Sequence, residues 1–265
     1  MNKLNKIRLP LDIMMTLVSI VLMGGNYFFP ADIVHEILGV ALFVLWTVHI
    51  ALNRRWYASL AQASKSITST NANDRRAYGA IFKGKYNPYR VMQTVINCCI
   101  LIRTIFLMIS GIILSNHLFT FLNIQSGLGF ARIAHLLASH WYYLFMSLHI
   151  GLHVGVITNK MRHPAPINCH PELVSGSSTN EMPKQLRHDK LRKTIPRILL
   201  ALTSLYGLYA FIARGVWKYL ILRQQFFFFD LERGYALFAM DYISIIILFV
   251  VVSRLVAASL KRRCD

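Results

Sequence analysis

Charged side chains are scarce in this sequence, and acidic ones are the scarcest. Charged residues make up 15% of the chain and hydrophobic residues 55%, with 11 Asp and Glu against 29 Lys and Arg. Soluble domains carry about 25% charged and about 45–50% apolar residues. Too few charges remain to cover a soluble globule of 265 residues, so the composition excludes an ordinary soluble domain and indicates a membrane protein.

Cysteine is also rare, and its spacing excludes two classes of metal site. The four cysteines are Cys98, Cys99, Cys169 and Cys264, and no two of them form a C-x-x-C pair. A zinc ribbon and a haem attached through thioether bonds both need such pairs. The sequence also lacks a phosphate-binding loop, paired carboxylates and a nucleophile–base arrangement, which argues against a self-contained enzyme.

The chain has instead six apolar stretches, each close to the roughly 20 residues that span a bilayer. They cover residues 11–29, 33–52, 91–114, 130–156, 198–213 and 235–256. Most of the basic residues lie in the termini and in the connections 53–90 and 157–197. By the positive-inside rule this predicts that both termini are cytoplasmic. The basic excess then reflects topology and contact with anionic membrane lipid, and no nucleic acid is expected as a partner.

These stretches predict an all-α fold, a polytopic membrane helix bundle. We expect a four-helix core within residues 1–157, followed by a polar cytoplasmic loop over 158–197. Residues 198–265 should then hold two further C-terminal spanning helices and a basic tail.

Histidines within two of these stretches point to a cofactor, because ionisable residues in spanning helices are costly and mark functional sites. His35 and His49 lie 14 residues apart on helix 2, and His135 and His149 have the same spacing on helix 4. Such a step returns to within roughly 40° of one helix face, about 21 Å further along the axis. Helices 2 and 4 run in the same direction, so the histidines should match in depth, one pair near each membrane surface. Two facing imidazoles can bind one haem iron from both sides, which predicts a di-haem core with two stacked bis-histidine haem b groups.

Four other residues are predicted to support these layers. Arg132 precedes His135 by one turn and could pair with haem propionates, Gly111 would give a macrocycle room, and Arg90 could serve the inner haem. Membrane anchoring and helix packing explain these three nearly as well. His153 remains an alternative inner ligand. Its position around the helix axis matches that of His135 better than the position of His149 does, but His149 matches His49 better in depth.

Several short segments carry a resemblance to a known family. They are His35-Glu36-Ile37-Leu38-Gly39, Leu45-Trp46-Thr47-Val48-His49, Lys83-Gly84-Lys85-Tyr86-Asn87-Pro88-Tyr89-Arg90, Ser110-Gly111-Ile112, Arg132-Ile133-Ala134-His135 and Ser147-Leu148-His149-Ile150-Gly151-Leu152-His153. Together they resemble the flavinylation-associated cytochromes of bacteria, and the histidine layout also resembles that of the larger respiratory cytochromes b. The resemblance implies a b-type cytochrome of the bacterial cytoplasmic membrane that works with an extracytoplasmic flavoprotein carrying covalent FMN. Two polar insertions, at 59–73 and 163–194, depart from the family's shorter connections.

The sequence therefore predicts a transmembrane carrier of electrons from a quinol or other reductant to an outer flavoprotein, a quinone or another acceptor. Such a chain would be the membrane subunit of an oxidoreductase. A second hypothesis is a divalent-metal or proton transporter that uses His149 and His153, and a third is a scaffold in which the histidines join helices. Transported cations usually meet buried carboxylates as well, and Asp12, Glu36 and Asp241 are not expected beside the helix 4 histidines.

Overall fold

The computed structural model describes residues 3–25, 31–55, 58, 88–162, 184–226 and 234–262. In these ranges there are seven α-helices and no strand, which confirms the all-α prediction. The helices are α1 (Lys3–Met23), α2 (Asp32–Leu52), α3 (Pro88–Leu114), α4 (Leu128–Arg162), α5 (Lys184–Ala213), α6 (Val216–Leu220) and α7 (Gly234–Arg262), with a 3-10 turn at Thr120–Leu122 between α3 and α4.

Four helical segments are long and apolar enough to cross a membrane. They are Asp32–Leu52 in α2, Pro88–Leu114 in α3, Thr194–Ala213 in α5 and Gly234–Leu260 in α7. The chain therefore has the helices of a multi-pass membrane protein. The first and fourth predicted spans lie in α1 and α4, which do not meet the same criterion. The physical reason is that α1 begins with several charged residues, while four histidines lower the hydropathy of α4.

Helix α4 is the centre of the bundle. It packs along α3 on one side and along α7 on the other, and it also contacts α1 and α6. Helix α1 packs on α2, and α5 packs on α7. The main hydrophobic core lies where Tyr142, Tyr143 and Met146 of α4 meet Phe238 and Ile245 of α7. Helices α5 and α7 are thus joined to the rest of the bundle mainly through α4, which itself carries His135 and His149.

Two glycines let helices approach α7 closely. A Cβ added to Gly151 of α4 would lie 1.9 Å from Oγ of Ser253, and one added to Gly207 of α5 would lie 2.2 Å from the carbonyl oxygen of Ser244. Close approach of backbones at small residues is a main source of helix packing in membranes. Gly151 therefore serves the crossing of α4 with α7, although it lies only two residues from a predicted haem ligand.

A polar cluster around the buried Asp241 ties α5 to α7. Arg214 donates from Nε to Asp241 Oδ2 at 2.6 Å, and the Tyr206 hydroxyl donates to Asp241 Oδ1 at 2.5 Å. Charged groups at membrane depth need such partners. Asp241, one of the three acids noted in the sequence, is therefore occupied in helix packing.

The two predicted polar insertions lie largely outside the described residues. Helix α4 continues to Arg162 and α5 begins at Lys184, so both ends of the predicted 158–197 loop are helical. Residues 163–183 and 59–87 are not among the described ranges, and the cytoplasmic position of these connections remains a prediction.

Candidate functional site

Helices α2 and α4 hold the four predicted histidines in two facing pairs. The ring centres of His35 and His135 lie 6.3 Å apart, and those of His49 and His149 lie 6.5 Å apart. Two imidazoles that bind one metal from opposite sides through bonds of about 2.0 Å have ring centres roughly 6 Å apart. Each pair therefore has the separation that one shared iron requires. We refer to His35 with His135 as the outer pair, and to His49 with His149 as the inner pair.

Three of these rings donate a hydrogen bond from Nδ1 to an oxygen of a neighbouring helix. Nδ1 of His135 lies 2.9 Å from the Ser110 hydroxyl oxygen, and Nδ1 of His149 lies 2.8 Å from Oδ1 of Asn97. Nδ1 of His49 lies 2.7 Å from Oδ1 of Asp12. The carboxylate oxygen of Asp12 and the amide oxygen of Asn97 can only accept a hydrogen bond. The Ser110 hydroxyl donates its proton to the Phe106 carbonyl at 2.7 Å, so its oxygen also acts as an acceptor for the ring of His135. The proton then sits on Nδ1, and the lone pair of Nε2 is left for a metal.

This arrangement is typical of histidines that bind metals. A metal-bound imidazole almost always donates its other N–H to a carboxylate, carbonyl or water, which fixes the ring and its tautomer. His35 differs, since its Nδ1 is buried and has no hydrogen-bond partner within the described part of the chain. At the inner pair, the Asn53 amide donates to Nε2 of His49 at 3.3 Å, so this nitrogen carries the lone pair there too.

His153 takes a different position from His149. Its Nε2 accepts a hydrogen bond from the Gln93 amide of α3 at 3.3 Å, and its ring centre lies 4.6 Å from that of His149. The ring that faces His49 is that of His149. Of the two candidates for the inner layer, the structure thus pairs His149 with α2 and turns His153 towards α3.

The outer pair opens into a cavity of about 300 Å³ enclosed by α1, α2, α3 and α4. The apolar part of its lining includes Leu22, Val40, Phe43, Leu107 and Met108. Gly39 and Gly111 also line it; a Cβ at Gly39 would meet nothing within 4 Å, and one at Gly111 would lie 3.7 Å from Cε1 of His135. Cofactor pockets are largely apolar and have volumes of about 300–1,000 Å³. An apolar cavity with two glycines and two imidazoles suits a flat, mostly apolar cofactor.

Glu36 closes the rim of this cavity. Its carboxylate accepts hydrogen bonds from the Ser115 hydroxyl at 2.7 Å and from the backbone N–H groups of Asn116, His117 and Leu118 at 2.8, 3.3 and 2.9 Å. These bonds tie the N-terminal end of α2 to the chain after α3. We call this contact the Glu36 clasp. It joins the residue next to His35 to the chain that follows α3.

Replacing Glu36 by Gln should loosen the clasp without emptying the cavity. The amide has only one oxygen and no charge, so bonds to a charged group worth about 1.5–3 kcal/mol each are weakened or lost. We expect a lower unfolding temperature in detergent and faster hydrogen exchange at residues 116–118. Replacement of the exposed Asp32 by Asn is the control, and equal effects of the two variants would contradict the clasp.

The two predicted arginines lie apart from the histidine pairs. Arg132 is exposed on α4 and is not among the residues that line the cavity. Arg90 is half-buried at the start of α3, where its carbonyl oxygen accepts from the Thr94 hydroxyl at 2.9 Å. Their contacts with haem propionates remain predictions. His140 of α4 is fully buried and stacks on Tyr219, with ring centres 4.3 Å apart.

The sequence did not predict the roles of four residues of the site. Asp12, Asn97 and Ser110 are hydrogen-bond partners of the rings, and Glu36 lies at the rim of the cavity. A signal existed for Asp12, because an acid in an apolar stretch marks a site and α1 runs antiparallel to α2. The early part of α1 therefore lies at the depth of His49. Asn97 and Ser110 carried no comparable signal, since polar residues of this kind also serve ordinary helix packing.

No protein-family model, curated protein or solved structure matches this chain. The function is therefore argued from the residues of the site themselves.

Proposed function

We propose that this protein is a transmembrane electron carrier that holds two haem b groups, one between the histidines of each pair. The observation that carries the proposal is the spacing of the two ring pairs, 6.3 and 6.5 Å between centres, on two helices. A single such pair could be an ordinary contact between helices. Two pairs separated by the same 14 residues on both helices favour a repeated ligand arrangement.

The surrounding residues fit this cofactor. Bound haem would supply one-electron chemistry through its ferric and ferrous states. The chain provides axial nitrogens whose orientation is set by Asp12, Asn97 and Ser110. Apolar side chains form much of the cavity wall at the outer pair, and Gly39 and Gly111 leave room along it.

The proposed direction of use is across the membrane. A quinol or another reductant would donate electrons at one face, and an extracytoplasmic flavoprotein with FMN, a quinone or another acceptor would receive them at the other. The flavoprotein follows from the family resemblance described above. The two pairs lie about 21 Å apart along the helix axis, and the outer cavity reaches the loop after α3. We further propose the bacterial cytoplasmic membrane as its location, with both termini in the cytoplasm.

A transporter of divalent metal or protons is the alternative. The contact between His149 and His153 would be its starting point, and Asp12 lies nearer to these residues than the sequence suggested, through its bond with His49. Transition metals in proteins usually have three or four protein ligands. The described residues contain no group of three or more histidine, cysteine or acidic side chains that could hold a metal ion. Paired histidines suit axial haem ligation better.

A visible spectrum of the purified full-length protein tests the proposal. We expect a sharp low-spin b-type band in the dithionite-reduced minus oxidised spectrum, and two haems per chain. One haem per chain would support a cytochrome in which only one of the two histidine pairs binds haem. A folded preparation, made with ample haem supply, that contains no haem would overturn the proposal, and uptake of Zn²⁺ or Mn²⁺ into vesicles would then support the transporter.

A further inference from the structure

The two histidine pairs differ in what accepts a hydrogen bond from their Nδ1 atoms. At the inner pair, His49 donates to the Asp12 carboxylate at 2.7 Å. At the outer pair, His135 bonds to the Ser110 hydroxyl, while Nδ1 of His35 is buried and unpartnered. Among the described residues, a carboxylate is thus bonded to a ring of the inner pair and to neither ring of the outer pair.

We propose that Asp12 is a positioning residue that makes the inner pair the haem site of lower reduction potential; this inference rests on the proposed function. A carboxylate that accepts Nδ1–H raises the basicity of the imidazole. A more basic axial ligand donates more strongly to iron and stabilises the ferric over the ferrous state. Hydrogen bonding beyond the ligand is one of the means by which proteins set haem potentials.

The other charged groups near the two pairs form no hydrogen bond with a ligand ring within the described residues. Arg8 lies one turn before Asp12 and donates to the Leu52 carbonyl at 2.6 Å, without contact to a ring. The Glu36 carboxylate, next to His35, is turned to the loop and accepts four hydrogen bonds there. Asp32 is exposed. Among the described residues, Asp12 is therefore the charged group that is hydrogen-bonded to a ligand ring.

The consequence is a defined order of the two sites. At equilibrium, a single electron in the protein resides mainly at the outer pair, because the inner pair holds it less strongly. A reductant that delivers electrons at the inner face then works downhill towards an acceptor at the outer face. Each site exchanges one electron, and the step between them involves no proton.

A redox titration of the purified full-length protein, followed at the b-type band, tests this inference. Asp12→Asn keeps an oxygen in place for Nδ1–H and removes only the charge. We expect the lower-potential step to shift upward by at least tenfold in its reduction equilibrium, which is 59 mV for a one-electron couple. The higher-potential step should move by less than twofold. The step that His49→Ala abolishes identifies the inner site.

Asn97→Asp is the reciprocal variant. It places a second carboxylate on the inner pair, at Nδ1 of His149, and should shift the same step downward by a similar factor. Asp12→Glu should restore most of the wild-type potential. If the Asp12→Asn protein retains only one haem, its potentials cannot be compared with those of the wild type. The shift of the lower-potential step in Asn97→Asp then tests the inference.

The possible results separate the two proposals. Two haems per chain with potentials that neither Asp12→Asn nor Asn97→Asp moves by more than twofold overturn this inference and leave the proposed function standing. A shift confined to the higher-potential step overturns it as well. A folded wild-type protein without haem overturns the proposed function, and this inference falls with it.

Discussion

Replacing His35 or His135 by Ala should remove one of the two haems and leave the other with an unchanged spectrum. The paired rings lie 6.3 Å apart across the outer cavity, so the loss of either ring leaves the iron with one protein ligand. His49→Ala and His149→Ala should abolish the other haem in the same way. The measurement is haem per polypeptide, by pyridine haemochrome, together with the reduced-minus-oxidised spectrum of each purified variant.

The histidines outside the pairs provide the matched controls. His117 is exposed in the loop after α3, and His117→Ala should retain two haems. His153→Ala should also retain two, because the ring paired with His49 is that of His149. Loss of a haem in His153→Ala with retention in His149→Ala would reverse the assignment of the inner ligand. Retention of both haems in all four paired-histidine variants would contradict the site.

Replacing Gly207 by Ala should strongly destabilise the protein, although it adds only one methyl group. That methyl would lie 2.2 Å from the Ser244 carbonyl oxygen and 2.7 Å from its carbonyl carbon. These are backbone atoms of α7 and cannot move without separating α5 from α7. Overpacking usually lowers the free energy of unfolding by about 1–3 kcal/mol and occasionally by more. Because the obstacle here is a rigid backbone, we expect a loss at the upper end of this range. Gly151→Ala meets a similar obstacle at Val250.

The yield of monodisperse protein in size-exclusion chromatography and the unfolding temperature in detergent measure this effect. Gly129→Ala in the first turn of α4 is the control, because its Cβ would meet nothing within 4 Å and alanine favours helix by about 0.5–1 kcal/mol. A Gly207→Ala protein as stable as Gly129→Ala would show that α5 and α7 are not in the close contact described here.

The histidine pairs were predictable because they depend only on local rules. The helical period sets the face of each residue, the length of the apolar stretches sets depth, and alternate spans run in the same direction. These three rules bring His35 to the depth of His135 and His49 to that of His149. The ring distances of the structure agree with that prediction for both pairs.

The partners of those rings were not predictable in this way. Asn97 and Asp12 contact the inner pair only because α3 and α1 present particular faces to α4 and α2, and helix rotation depends on the packing of the whole bundle. The same holds for Glu36, whose role depends on where the chain after α3 turns.

Composition and helical periodicity are properties of single segments, so they were enough to predict a helical membrane protein, its apolar helices and the two-layer spacing of its histidines. The packed bundle was needed to show that Asp12 bonds to a ring, that His149 is the ring paired with His49, and that Gly151 and Gly207 lie against α7. Those contacts join residues on different helices, and their formation depends on helix rotations and crossings that no single segment encodes.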